Sequence, residues 1–313
     1  MFKRRKRISG KSHFCLLVNK KSAEYDPKAI TKLTTAIKEQ GGFYTITEPE
    51  TAGELLEHAH AAASNKLQEL PGDASKWGKI TALIACGGDG TVNLAARAAL
   101  EHDMPIGILP LGRWNNIARS LYSDRSTDKV ITQILSGKTR MADSAVASGQ
   151  PFFGSIGLGF VPLFAEEFSQ RKFPRLFNFG WASLGSQIAS KVKAEAMTIK
   201  VDSFRFEVTP IMININLVPY TVGLPMSPVS LTDDGSAEVI FDYGNHADEF
   251  SAYTRKIAKG EYVYGNIIRL YRGKVITCQP TKGKTLYLDG ELIILPNNSL
   301  EVSMAPKQLT VLA

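Results

Sequence analysis

The chain has 313 residues, 44% of them hydrophobic and 21% charged, with a formal net charge of +7, which is the make-up of a globular protein and not of a fibrous or disordered one. The length exceeds most single cores and favours two domains, and the absence of any run of about 18 apolar residues excludes a transmembrane helix. Cys15, Cys86 and Cys278 lie far apart inside strand-like runs, so they read as buried thiols, and neither a disulfide framework nor a metal spacing is present. Of the histidines only His58 and His60 are close in sequence, and their i,i+2 spacing sends them to different sides of a helix, so no structural zinc site is expected.

Residues 1–13 form a basic tail, with Lys3, Arg4, Arg5, Lys6, Arg7 and Lys11 carrying most of the excess charge. A flexible solvated tail is the first expectation. Peripheral contact with an anionic membrane surface is the alternative, and nucleic acid is not expected as a partner because no aromatic residues are interleaved with the basic ones. The apolar run Phe14 to Val18 is too short for a signal-peptide core, which points to a cytoplasmic protein, peripheral at the inner membrane face if the tail binds lipid.

Strands and helices then alternate. Phe14–Val18 reads as strand, Pro27–Gln40 as amphipathic helix, Phe43–Ile46 as strand, Ala52–Ser64 as helix, Ile80–Cys86 as strand, Leu94–Leu100 as helix, Ile106–Leu109 as strand and Ile117–Tyr122 as helix. This predicts an open α/β nucleotide-binding domain over 14–145, with ligands at the carboxyl ends of the strands. From about Gly154 the pattern turns to short segments rich in β-branched and aromatic residues: Thr198–Val201, Phe204–Val208, Ile211–Leu217, Ala237–Phe241, Ile267–Tyr271, Lys274–Cys278, Thr285–Leu288 and Leu300–Met304. They predict an all-β second domain, a β-sandwich, over 146–313, with the last strand free to return to the first domain, and an active site in the interdomain cleft. The aromatic stretch Phe160 to Lys193 is expected to pack on that domain, with an acyl-chain or membrane-surface role as the alternative.

The strongest chemical signal is Gly87-Gly88-Asp89-Gly90-Thr91-Val92-Asn93, between a buried strand and a helix start. Such a loop brings backbone N–H groups and a helix N-terminus to phosphate oxygens. Glycines at 87, 88 and 90 are expected to provide φ > 0 and close approach. Asp89 is out of place by charge beside phosphates unless it acts on a cation or a reacting hydroxyl, which makes it a catalytic candidate. The loop is not a Walker loop, lacking Gly-Lys-Ser/Thr, and Asn93 stands where a dinucleotide fingerprint needs its third glycine.

The loop resembles the GGDGT signature of diacylglycerol kinases, sphingosine kinases, bacterial lipid kinases, NAD kinases and 6-phosphofructokinases. Later segments narrow the resemblance. Residues 107–121, with Gly112-Arg113-Trp114-Asn115-Asn116 at their centre, are similar to the lipid-kinase second motif. Gly154 to Phe160 looks like that family's entry into its second domain, Asp234-Gly235 like its metal loop, and Asp289-Gly290-Glu291 like its late Asp-Gly-Glu motif.

The resemblance to the diacylglycerol kinase catalytic-domain family implies an ATP-dependent lipid kinase that transfers the γ-phosphoryl group to a lipid hydroxyl. It implies that Gly87, Gly88, Asp89, Gly90, Thr91, Val92 and Asn93, with Asn19 and Thr47, hold the nucleotide and help place Mg2+. Glu291, or Asp289 beside it, is implied as general base, and Leu231 and Ser236 through carbonyls, with Asp234 through its carboxylate, as ligands of a second Mg2+. Such oxygen ligands suit that ion. Taken alone, Asp233-Asp234-Gly235 and Asp289-Gly290 also read as hairpin turns.

Two departures mark this chain. Asn19-Lys20-Lys21-Ser22-Ala23 stands where the family has Asn-Pro-x-Ser-Gly, leaving Lys20 or Lys21 to supply charge. Arg113-Trp114 replaces Thr-x, which either closes the site or recruits a phosphate through the guanidinium. Asn116 stands where many members have Asp. The alternatives to an active lipid kinase are a catalytically weak or inactive lipid- or nucleotide-binding protein on the same fold, and a kinase for a soluble substrate of the NAD kinase type. A homodimer is one open assembly.

Overall fold

The computed structural model describes residues 12–66, 79–124, 126–170, 178–244, 247–261, 267–305 and 308–313. In chain order the elements are β1 (His13–Val18), α1 (Pro27–Glu39), β2 (Phe43–Thr47), α2 (Ala52–Ala63), β3 (Ala82–Gly87), α3 (Asp89–Glu101), β4 (Ile106–Pro110), α4 (Asn116–Leu121), α5 (Thr127–Leu135), β5 (Thr139–Ala142), β6 (Ala145–Ala147), β7 (Gln150–Phe152) and β8 (Ser155–Gly159). There follow α6 (Phe160–Gln170), α7 (Asn178–Lys191), β9 (Met197–Val201), β10 (Phe204–Val208), β11 (Met212–Asn216), β12 (Ala237–Asp242) and α8 (Ala247–Ala258). The chain closes with β13 (Ile268–Gly273), β14 (Val275–Gln279), β15 (Thr285–Leu288), β16 (Glu291–Ile294), β17 (Leu300–Met304) and β18 (Leu309–Leu312). The residues expected to form the basic tail lie outside the described ones up to position 11, as do Arg171, Lys172, Phe173, Arg175 and Phe177. No helix among the described residues is long and apolar enough to cross a membrane.

The chain divides into two units, Met1–Ala142 with Lys307–Ala313, and Asp143–Pro306. In the first, one sheet runs β2-β1-β3-β4-β18-β5. The pairs β1/β2, β1/β3, β3/β4 and β4/β18 are parallel, and β5 is antiparallel to β18. Every residue of β1 and β3 is buried, as expected of a parallel sheet covered on both faces. Local chemistry starts the helices: Asp26 accepts from the Lys28 amide ahead of Pro27, and Thr51 caps the Glu54 amide while the Glu54 carboxylate reaches back to the Glu50 amide. Because β2 and β3 lie on opposite sides of β1, the connections leaving β1 and arriving at β3 diverge there. The carboxyl ends of β1 and β3 are therefore the topological switch point.

The second unit stacks two six-stranded sheets, β10-β9-β14-β17-β6-β7 and β13-β12-β11-β8-β15-β16. Ile199, Val201, Ile276 and Val302 from the first and Ile156, Ile213, Val239 and Phe241 from the second share one core, the alternation of a sandwich. The unit is not all-β, however: α6, α7 and α8 belong to it. In α8 the buried Phe250, Tyr253, Thr254 and Ile257 recur at the i, i+3, i+4, i+7 spacing of a helix, a signal the strand-rich surroundings hide. Gly185 lets α7 close on α8, since a Cβ there would lie 3.0 Å from the Thr254 hydroxyl oxygen. Phe160, Phe164 and Phe168 are buried, with ring centroids 5.5 and 5.8 Å apart along α6 and 5.2 Å from Phe160 to Phe250. These three rings are core, not a lipid surface.

All three cysteines are free and buried. Burial pushes the thiols of Cys15 and Cys278 up to about 12 and that of Cys86 upward as well.

Candidate functional site

At the switch point of the first unit, Asn19 directly follows β1, and β3 ends in the glycine loop. The Asn19 amide donates to the Cys86 carbonyl at 3.1 Å, and its side-chain amide donates to the Thr91 hydroxyl at 2.9 Å. Its side-chain oxygen accepts from the Lys21 amide at 3.0 Å. Asn19 thus fixes the rotamer of Thr91 in the first turn of α3.

The glycines act by size. Gly88 has φ −91 and ψ −174, and neither Gly87 nor Gly90 takes a positive φ, which corrects the conformational role expected of all three. A Cβ on Gly87 would stand 2.4 Å from the Thr91 hydroxyl oxygen, and one on Gly112 would stand 2.3 Å from the Gly88 Cα. Two backbones therefore touch at Gly88 and Gly112. As N-cap of α3, Gly88 brings no capping side chain to a helix end whose first N–H groups lie beyond the reach of intrahelical carbonyls.

Asp89, the first residue of α3, is buried, and its carboxylate is turned toward α4. Oδ2 accepts from the Asn116 amide at 3.0 Å and from its side-chain amide at 3.1 Å, and Oδ1 accepts from the Ile117 amide at 3.0 Å. Asn115, the N-cap of α4, is left-handed (φ 52) and makes no cap bond there. Its side chain closes instead on Gly112, accepting from the amide at 2.8 Å and donating to the carbonyl at 2.6 Å. Asp89 supplies the missing cap from 27 residues away.

Around this centre, Thr47 ends β2 with its side-chain hydroxyl buried and without a hydrogen-bond partner. Lys20 and Lys21 are tied to the segment after β2: the first pairs with Glu48 at 2.5 Å, and the second donates to the Glu50 carbonyl at 2.7 Å. Val92 and Asn93 are buried, and Gly90 and Trp114 are partly so. Arg113 and Ala23 are exposed, so the Arg113 side chain does not fill the loop.

In the second unit, Asp289 and Gly290 have φ of +46 and +101 between the paired Leu288 and Glu291. They form a two-residue hairpin with both central residues left-handed. The buried Asp289 carboxylate accepts from the amides of Phe153, Gly154 and Ser155 at 2.7, 2.9 and 2.9 Å, pinning the hairpin to the start of β8. Glu291, at the head of β16, is exposed. Of the two carboxylates offered as base, Asp289 is held by the backbone and Glu291 faces solvent.

The Asp233-Asp234-Gly235 turn has Gly235 at φ +74. Gly235 donates to Asp143 at 2.7 Å, and Asp234 accepts from the Ser236 amide at 3.1 Å and pairs with Arg272. Arg272 also approaches Glu238 at 3.0 Å from the facing position on β13. Burial, the largest influence, holds the Glu238 carboxyl above its ordinary range. Leu231 is exposed, leaving its carbonyl as the only group it could offer a cation. Sequence reasoning noted Asn116 only as a departure from the family and missed its hold on Asp89, and it missed Arg272 altogether, because both act on partners distant in sequence.

Residues 13–147 match the family described as the diacylglycerol kinase catalytic domain. The chain is 24% identical over 258 residues to a protein named diacylglycerol kinase from Bacillus subtilis, covering 81% of each. It is also 24% identical over 291 residues to a protein of Staphylococcus haemolyticus proposed to be a lipid kinase, covering 90% of this chain and 89% of that one. A crystal structure titled as a diacylglycerol kinase from Bacillus anthracis superimposes with a TM-score of 0.71 at 18% identity over 96% of both chains, a likeness of fold. Residues 13–147 thus form a domain of the diacylglycerol kinase catalytic family, and the chain as a whole resembles that family's lipid kinases.

Proposed function

We propose that this protein transfers the γ-phosphoryl group of ATP to the hydroxyl of a lipid. The observation that carries this reading is the glycine loop at the β1/β3 switch point, where α3 begins without a capping side chain and the loop closes on the second loop through Gly88 and Gly112. A helix N-terminus with close, side-chain-free backbone fits phosphate. The orphaned Thr47 hydroxyl fits a polar nucleotide atom, because a buried hydroxyl without a partner is costly until something bonds it. ATP, when bound, supplies the phosphoryl group.

In this reading Gly87 to Asn93 cradle the phosphates, Asn19 holds Thr91 toward them, and Thr47 bonds the nucleotide. Asp89 keeps the two glycine-containing loops in register beside the phosphates and would help place a cation there. Arg113, exposed at the second loop, offers its guanidinium to a phosphate oxygen. Glu291 takes the proton from the lipid hydroxyl, and Asp289 positions it by locking the hairpin. Leu231 and Ser236 through carbonyls, with Asp234 through its carboxylate, would hold Mg2+ with oxygen ligands, the cation then sharing Asp234 with Arg272. Alignment and charge neutralisation are most of what phosphoryl transfer asks of a protein.

The test is transfer of γ-labelled phosphate from ATP with Mg2+ to a mixed-lipid extract in detergent micelles. A labelled lipid that is lost in Glu291→Gln supports the reading. A folded protein that labels no lipid supports the second reading, a binding protein without turnover, which the engagement of Lys20 and Lys21 by Glu48 and Glu50 favours. Transfer independent of lipid would favour a soluble substrate.

A further inference from the structure

α2 packs against α3, and both helices carry small buried residues, Ala59, Ala62 and Ala63 on the first and Ala95, Ala96, Ala98 and Ala99 on the second. Small side chains let the two helices approach closely, and at one edge the approach brings together three donors from distant positions. His60 Nδ1 lies 3.4 Å from His102 Nε2. Glu101 places one carboxylate oxygen 3.8 Å from His60 Nδ1 and the other 3.9 Å from His102 Nε2. The two rings stand nearly perpendicular, at 78° with centroids 5.6 Å apart.

We propose that His60, Glu101 and His102 form a surface binding site for a divalent transition-metal ion, with Zn2+ as the occupant expected. A tetrahedral ion with N and O ligands at ~2.0–2.2 Å holds its donor atoms roughly 3.3–3.5 Å apart. The imidazole pair already has that separation. The Glu101 oxygens are about half an ångström too far, and the Glu101 side chain, 66% exposed, is free to close the difference. Without an ion, the imidazole pair is a long contact for an N–H···N hydrogen bond. Two imidazoles and one carboxylate select zinc, nickel or copper over the hard cation of phosphoryl transfer.

The site is separate from the glycine loop. His102 follows the last residue of α3 and Asp89 is its first, so at ~1.5 Å per residue the two ends are about 18 Å apart along the helix. An ion bound here clips the last turn of α2 to the end of α3. Because the donors meet only in the folded protein, such an ion stabilises the fold. Spacing along the chain set only His58 beside His60 and so led to no zinc site being expected; His102, 42 residues from His60, joins it only in the folded protein.

The test titrates ZnCl2 into tag-free, chelator-stripped full chain by calorimetry at pH 7.5, with Co2+ absorption and thermal unfolding read in parallel. The expected result is one saturable site per chain and a raised melting temperature. His60→Gln and His102→Gln are expected to lose at least tenfold in affinity, and His58→Gln to bind as the parent does. Absence of saturable binding, or binding that survives both substitutions, overturns the proposal. Should either histidine variant fail to fold by circular dichroism, the Co2+ spectrum of Glu101→Gln decides: a changed ligand-field band supports the site and an unchanged one overturns it.

Discussion

Asp89 holds Asn116 twice through a single oxygen, taking its backbone amide at 3.0 Å and its side-chain amide at 3.1 Å. This pair joins the glycine loop to the second loop, and it needs a donor at 116. Replacing that donor by an acid, Asn116→Asp, sets a second carboxylate against Asp89. The expected cost is about 1–3 kcal/mol, from the lost bond and like-charge repulsion in a buried place. Chemical denaturation measures it, and an unchanged midpoint would show that the side-chain bond contributes nothing. Asp89→Asn belongs in the same series, because a loss of phosphoryl transfer in that variant bears on the chemistry only where unfolding is near normal.

Gly112→Ala tests the contact of the two loops. Its Cβ would meet the Gly88 Cα at 2.3 Å and the Asn115 side-chain oxygen at 2.8 Å, and neither backbone nor the clasped Asn115 has room to give. Destabilisation of about 1–3 kcal/mol is expected, with phosphoryl transfer lost. Gly53→Ala is the control: its Cβ meets nothing nearer than the Thr51 hydroxyl oxygen at 3.9 Å, in an exposed helical turn where Ala is favoured by roughly 0.4–1 kcal/mol. Equal behaviour of the two variants would remove the steric role of Gly112.

Thr47→Val separates nucleotide binding from folding. The hydroxyl is buried and unbonded in the protein, so removing it leaves stability unchanged or raised. If it bonds the nucleotide, KM for ATP rises about tenfold, the worth of roughly 1.4 kcal/mol, with kcat little altered. A KM equal to that of the parent protein would place Thr47 outside the nucleotide site.

Glu238→Gln probes pH dependence. Burial holds the Glu238 carboxyl above its ordinary range in the folded state. Between the ordinary value and the raised one, the folded protein keeps a proton the unfolded chain has released, so stability falls as pH rises through that window. The glutamine variant has no such proton to lose. It is expected to melt higher than the parent at pH 7 and at the same temperature at pH 4, as scanning calorimetry at the two values would show. A lower melting temperature at pH 7 would mean that the Arg272 contact outweighs burial.

Residue patterns by themselves determined the alternation of β1 to α4, most sandwich strands to within a residue or two, and the Asp289-Gly290 hairpin. Each follows from side-chain period, glycine placement or capping groups within a few positions of one another. The strand, glycine loop and helix around Asp89 were legible for the same reason. Tertiary structure alone decided that Asp89 caps α4, that Gly88 and Gly112 are small because two backbones touch, that Arg272 lies on Asp234, and that His60 meets His102. Those partners are 24 to 42 residues apart, and their meeting depends on sheet order and on how closely α2 packs on α3. Spacing along the chain encodes neither, because a local period says which face of an element is buried but not which other element covers it.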